Sequence, residues 1–176
     1  MSSINDETDM ICGNCEKECE SYIKTVKEVY PVKGEDIEVE ANVRFCEQCG
    51  EAMFDVKLDG ENLQRAYRIY RERHHLLQPE QIKEIRNKYG LSQVAFSRIL
   101  GMGDKTITRY ENGSIADKAQ NNIIELAADQ YIFMKLLTKN KESIPQTEYI
   151  AAMQRINIYG VPAPKPISVA EDPIRR

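Results

Sequence analysis

The spacing of apolar residues changes period along the chain, and each change marks an element. Ile37, Val39, Ala41, Val43 and Phe45 alternate with Glu38, Glu40, Asn42 and Arg44, a period of two that predicts a strand with one wet face. Tyr22 to Tyr30 is also rich in β-branched and aromatic residues, and Lys33-Gly34-Glu35-Asp36 supplies a loop between the two segments. A hairpin follows, and it carries Cys46 back beside Cys12 and Cys15. From Glu61 to about Leu77 the spacing becomes helical: Leu63, Tyr67, Tyr70 and His74 form a stripe among Arg65, Arg68, Arg71 and Arg73. This is a basic helix linking two halves.

The second half reads as successive helices. Pro79 suits the first turn of a helix that carries Ile82, Ile85 and Tyr89 inward and stops at Gly90. Ser92 then suits an N-cap, and the helix it opens runs to Gly101. A turn at Met102-Gly103 leads to a third helix, Asp104 to Glu111, closed by Asn112-Gly113. Phe96, Leu100, Met102, Ile107 and Tyr110 fall on the inner side, and Ser97 is small where two helices must approach. The run from Ala116 to Leu137 holds more apolar residues than one solvent-facing helix uses; a dimer interface and packing on the preceding helices both account for the excess. A weaker helix is expected from Pro145 to Ile156, and Pro162, Pro164, Pro166 and Pro173 mark a tail expected to be disordered.

Together these elements predict an α+β chain: a small four-cysteine, zinc-bound β-hairpin domain at 10–58, a helical linker at 59–78, an all-α helix-turn-helix domain at 79–139, a C-terminal helix within 140–160, and a Pro-rich tail at 161–176. No stretch approaches the roughly 18 apolar residues of a membrane span. Met1 to Asp9 has neither a basic start nor an apolar run, so no secretory signal is expected and the cytoplasm is the expected compartment.

Charge divides along the same boundary. The whole chain carries −4, but residues 1–60 hold six Lys/Arg against fifteen Asp/Glu, whereas residues 61–140 hold thirteen against nine. An acidic front is repelled by phosphate and a basic middle is attracted to it, although drift in composition produces imbalances of this kind too.

Four of the five cysteines form two pairs, Cys12-Gly13-Asn14-Cys15 and Cys46-Glu47-Gln48-Cys49. Two residues between thiols let both sulfurs of a turn face one ion, so two such knuckles supply four thiolates for a tetrahedral metal. Gly50, after the second knuckle, suits a turn that aims backbone N–H groups at the sulfurs. Disulfides would need an oxidising compartment, and a redox pair is usually single and opens a helix in a βαβ unit. Iron remains open beside zinc, because four thiolates serve both. One structural zinc per chain is the preferred reading, with no catalytic role, since four thiolates leave no position for water. Cys19 reads as a free thiol, and its closeness to the first pair leaves it open as a substitute ligand. His74 and His75 are adjacent, so on a helix they diverge by about 100° and do not form a metal pair. No Ser/His/Asp set, phosphate-cradling loop or open metal position suggests an enzyme.

Leu91 to Gly113, with Leu-Ser-Gln opening one helix and Arg-Tyr-Glu-Asn-Gly ending the next, resembles the helix-turn-helix of the Xre/Cro-repressor superfamily. The resemblance implies that the later helix enters the DNA major groove and the earlier one crosses the backbone. Its exposed face would be Asp104, Lys105, Thr106, Thr108 and Arg109, while Ser92 and Gln93 would meet phosphate rather than bases. A helical hairpin that binds protein is the rival for this stretch.

The order of cysteine pairs, hairpin, helical connection and helix-turn-helix, over roughly residues 10 to 138, resembles the MqsA/YgiT-type antitoxins of bacterial toxin–antitoxin operons. This implies a homodimer that binds palindromic double-stranded operator DNA through its C-terminal half, represses its own operon, and meets a toxin through its zinc half. By position, Lys105 and Arg109 occupy the family's two base-contact sites. The family archetype has an amide where Lys105 stands; an amide pairs with adenine, whereas Lys favours guanine or phosphate. The longer N-terminus and Cys19 also depart from the family. A phage or mobile-element repressor of the same architecture, without a toxin, is the alternative.

Overall fold

The computed structural model describes residues 10–158 and has an α+β architecture. The chain divides between His75 and Leu76 into two compact units. The Pro-rich tail expected at 161–176 lies outside the described residues.

The first unit is built on two antiparallel sheets. Strands β1 (Met10–Cys12) and β2 (Lys17–Cys19) form a two-stranded hairpin across the first cysteine pair. Strands β3 (Ser21–Val32) and β4 (Glu35–Cys46) pair along their whole length, from Ser21 opposite Cys46 to Val32 opposite Glu35, and β5 (Ala52–Met53) adds to β4 at Arg44 and Phe45. The expected four-residue loop is tighter than its sequence suggests. Lys33 and Gly34 alone turn the chain, both with positive φ (49° and 88°), the geometry whose twist matches a two-residue hairpin. Alternation along β4 places Ile37, Val39, Ala41 and Val43 in the core, as its period of two predicts.

Helix α1 (Val56–Arg73) packs on β4. It begins five residues before the expected Glu61 because the Asp55 carboxylate caps it, accepting from the N–H groups of Lys57 and Leu58, and Gly60 is tolerated at an exposed position inside it. Its buried stripe is Leu58, Asn62 and Ala66, whereas Leu63, Tyr67, Tyr70 and His74 are only half-buried. The fully buried Asn62 explains the rotation of the stripe. Its Oδ1 accepts from the Asn42 N–H (3.0 Å) and its Nδ2 donates to the Asn42 carbonyl (2.9 Å), so one side chain pairs with β4 as another strand would.

The second unit is all helix. It comprises α2 (Pro79–Lys88), α3 (Gln93–Ile99), α4 (Thr106–Glu111), α5 (Lys118–Leu126), α6 (Gln130–Lys139), a short 3-10 turn (Lys141–Ser143) and α7 (Gln146–Ile158). The apolar run after Gly113 is two helices, broken where Asp129 caps α6 through the Ile132 N–H. Its excess of apolar residues is largely absorbed internally: Phe133, Met134 and Leu137 join Ile82, Tyr89, Phe96, Ile99, Ile107 and Ile124 in one core, to which α7 adds Ala152 and Ile156. Phe133 stacks on Tyr89 (centroids 3.8 Å apart), and the Tyr89 hydroxyl donates to the Ala127 carbonyl, so a buried polar tip is satisfied. No helix among the described residues is long and apolar enough to cross a membrane.

Truncating Asn62 would strand the Asn42 N–H and carbonyl. Asn62→Ala is therefore expected to cost about 2–4 kcal/mol of first-unit stability, read from urea unfolding by circular dichroism. An unchanged midpoint would show that water replaces the amide without loss.

Candidate functional site

The first site forms where the ends of the strands converge. β1 delivers Cys12 and β4 delivers Cys46, each at the start of a tight turn that returns the second cysteine of its pair. The two turns are built alike. Glu16 and Gly50, each following its pair, adopt left-handed backbone (φ 55° and 72°), with Glu16 N–H bonded to the Cys12 carbonyl and Gly50 N–H to that of Cys46. Gly50 meets this demand without strain.

All four Sγ atoms of Cys12, Cys15, Cys46 and Cys49 lie within 4.8 Å of one another. Cys12 and Cys49 Sγ are 3.6 Å apart, and Cys15 and Cys46 Sγ are 4.0 Å apart. A tetrahedral ion with metal–sulfur bonds of about 2.3 Å requires sulfur–sulfur edges of about 3.8 Å, so the donor set fits. Backbone donors support it: the Cys15 N–H points at Cys12 Sγ (3.4 Å). The N–H of Cys49, opposed by burial and aided by that of Gln48, lowers the Cys46 thiol to about 6. The Glu51 N–H likewise lowers Cys49, whereas the neighbouring Cys49 sulfur, with burial, pushes Cys15 upward. Cys46 and Cys49 are thus drawn toward thiolate while Cys15 is held as the thiol. A bound dication removes that difference by drawing all four sulfurs into the deprotonated form.

Cys19 is buried against Cys12, Cys46 and Met53 but stands outside the group of four, with its thiol directed at the Lys17 carbonyl (3.5 Å). It packs beneath the cluster as a small apolar side chain.

The second site is the pair α3 and α4. Ser92 caps α3, as its sequence position predicts: its hydroxyl accepts from the Ala95 N–H. The Ser97 hydroxyl donates to the Gln93 carbonyl and accepts from the Ile107 N–H, tying the two helices where they approach. Helix α4 is shorter than expected, because Asp104 and Lys105 precede it. Lys105 and Arg109 are exposed, and Thr108 is half-buried. Thr106 does not belong to the exposed face: it is only 7% exposed, since the first turn of α4 directs it, with Ile107, toward the core. Asp104 is exposed but engaged, accepting both Nε and Nη2 of Arg98 (2.8 and 2.7 Å).

Behind this face lies a network that sequence inspection missed. Arg86 of α2 donates from Nε and Nη2 to the two carboxylate oxygens of Glu111 (2.6 and 2.9 Å) and from Nη1 to the Leu91 carbonyl. Gln93 donates to Glu111 (2.7 Å) and accepts from the Thr108 hydroxyl (2.9 Å), so α2, α3 and α4 are joined by one carboxylate. Arg86 and Glu111 stand 25 residues apart, and no local pattern pairs them. Burial alone would raise the Glu111 carboxyl; Arg86 and Gln93 outweigh it and hold the group below its ordinary value of 4.5.

A carboxylate depressed on folding contributes stability that is present above its unfolded value and is lost as pH falls through the folded one. Glu111→Gln is therefore expected to cost about 3–5 kcal/mol at neutral pH, because Arg86 is left buried without its partner, and to flatten the acid limb of second-unit stability below pH 4.5. Thermal melts across pH check both effects. For the sulfur cluster, native mass spectrometry should show one divalent metal ion per chain, lost in Cys46→Ser and in Cys49→Ser and kept in Cys19→Ser; metal loss in the last would make Cys19 a ligand.

No curated protein matches the chain. A family model described as the antitoxin component of the bacterial toxin-antitoxin system, MqsA, matches residues 10–139, a span that holds both sites. The chain thus belongs to the MqsA antitoxin family.

Proposed function

We propose that this protein is an autoregulating antitoxin that acts by binding rather than catalysis. In this reading it binds palindromic operator DNA as a homodimer through α3 and α4, and binds a toxin through a first unit held by one structural zinc ion. The observation that carries the DNA assignment is the pairing of exposure with rigidity on α4: Arg109 and the preceding Lys105 are exposed, while Ile107 and Tyr110 anchor the same short helix in the core. Arg109 and Lys105 would read base edges, with guanine O6 and N7 as their natural acceptors. Gln93 and Thr108, already bonded to each other, and the N–H and hydroxyl of Ser92 would position the backbone through phosphate.

Apolar exposure supports the two protein contacts. On the first unit Ile11, Phe54 and Val56 are more than 70% exposed, and Val29 lies on the outer strand β3, which suits docking of a partner. The acidic balance of that half suits a basic toxin. On the second unit Ile123, Leu126 and Tyr131 remain exposed on α5 and α6 after the core is filled, and they are the proposed dimer contact. The donor set of four thiolates in knuckles favours zinc.

In anisotropy titrations with DNA from upstream of its own gene, Arg109→Ala should weaken specific binding by about 1–3 kcal/mol and relax preference at one base pair per half-site. Unchanged affinity would remove α4 from the reading element. Purification with the neighbouring gene product distinguishes the antitoxin from a repressor of the same architecture that has no toxin.

A further inference from the structure

The segment beyond the family match reaches back to Ser92, one of the residues assigned above to phosphate. Residues 140–158 lie outside the matched span of 10–139, yet they are firmly seated: Ile144, Ala152 and Ile156 are buried in the second-unit core. At one end of α3, the Asn140 amide donates to the Ile99 carbonyl (2.9 Å). Near its other end, Arg155 of α7 donates to the Asn87 carbonyl (3.0 Å) and its guanidinium lies over Gly90. Gly90, at φ 67°, meets the backbone's demand there.

Between these anchors, Glu148 of α7 takes the donors of Ser92. Its Oε2 accepts from the Ser92 N–H (3.1 Å), and both carboxylate oxygens lie within reach of the Ser92 hydroxyl (3.0 and 3.3 Å). The hydroxyl meanwhile accepts from Ala95, so its single proton is committed to Glu148. The DNA reading gives that same N–H and hydroxyl to a phosphate, and two anions cannot share them.

We infer that Glu148 is an internal competitor for a DNA phosphate, an autoinhibitory contact by which α7 lowers the affinity of the α3–α4 face for DNA. The inference rests on the DNA reading proposed above. The carboxylate satisfies Ser92 in the free protein and repels an approaching phosphate. Binding therefore requires that Glu148 give way, and a partner that draws α7 aside would strengthen repression.

The test compares the full-length protein with Glu148→Gln and with Glu142→Gln, which removes the same charge from an exposed position on the neighbouring 3-10 turn. Affinity for the upstream DNA is measured by anisotropy, with thermal melts confirming that each variant folds. Glu148→Gln should bind about five- to tenfold tighter, since a charged competitor for two hydrogen bonds is removed, while Glu142→Gln stays within about twofold. Equal affinity of Glu148→Gln and the parent overturns the inference and leaves the DNA reading standing. An equal gain in both variants also overturns it, because net charge then accounts for the effect. Failure of all three proteins to bind overturns the DNA reading and the inference together.

Discussion

The convergence of four cysteine sulfurs on one point is the constraint on which the first unit depends. Its apolar core is small: Ile37, Val39, Ala41 and Val43 on β4, with Val32, Leu58 and Ala66 beside them, and a second cluster of Cys12, Cys19, Cys46 and Met53 around the sulfurs. Burial of that extent is a weak hold on 66 described residues, 10–75. The sulfur cluster lies at the far end of the long hairpin from its Lys33-Gly34 turn, where Cys46 ends β4 and Cys12 ends β1. A cation bound there fastens the two sheets to each other. It also fixes the end of β4 that receives Arg44, whose Nε meets Asp55 (2.9 Å), the cap of α1. Sulfur cluster, hairpin and helix thus form one chain of dependence.

The second unit has no such dependence. Tyr89, Phe96 and Phe133 form an aromatic centre, and six helices close around it. The Arg86–Glu111–Gln93–Thr108 network gives α3 and α4 a fixed relation, so side chains on their outer face are held by a buried carboxylate rather than by a flexible loop. A face built this way would lose little freedom on meeting a partner. The cost is a buried charge pair whose two members must both be present.

Much of this was legible in local pattern. The two cysteine pairs announce the metal site because ligand spacing is a short-range property, and alternation along Ile37 to Phe45 announces β4 because the pleat has a strict period. Ser92 as a cap, Ser97 at the helix contact and Gly50 after its knuckle follow from the geometry that each position requires. What escaped depends on contacts distant in sequence. Nothing local marks Asn62 for burial, because its partner Asn42 on β4 lies 20 residues away in sequence. Thr106 reads as exposed until α4 is seen to begin there, and the helical spacing read from Glu61 misses the first turn that Asp55 caps. Glu148 reaches Ser92 across 56 residues, beyond any window of periodicity.

The central claim is that a metal held by Cys12, Cys15, Cys46 and Cys49 maintains the first unit, while the second stands on its own core. Hydrogen exchange followed by mass spectrometry, with and without a strong chelator, tests it most directly. Chelation is expected to abolish protection through β1 to β5 and α1 and to leave α2 to α7 unchanged. Retained protection in the β3–β4 hairpin after the metal is removed would contradict it.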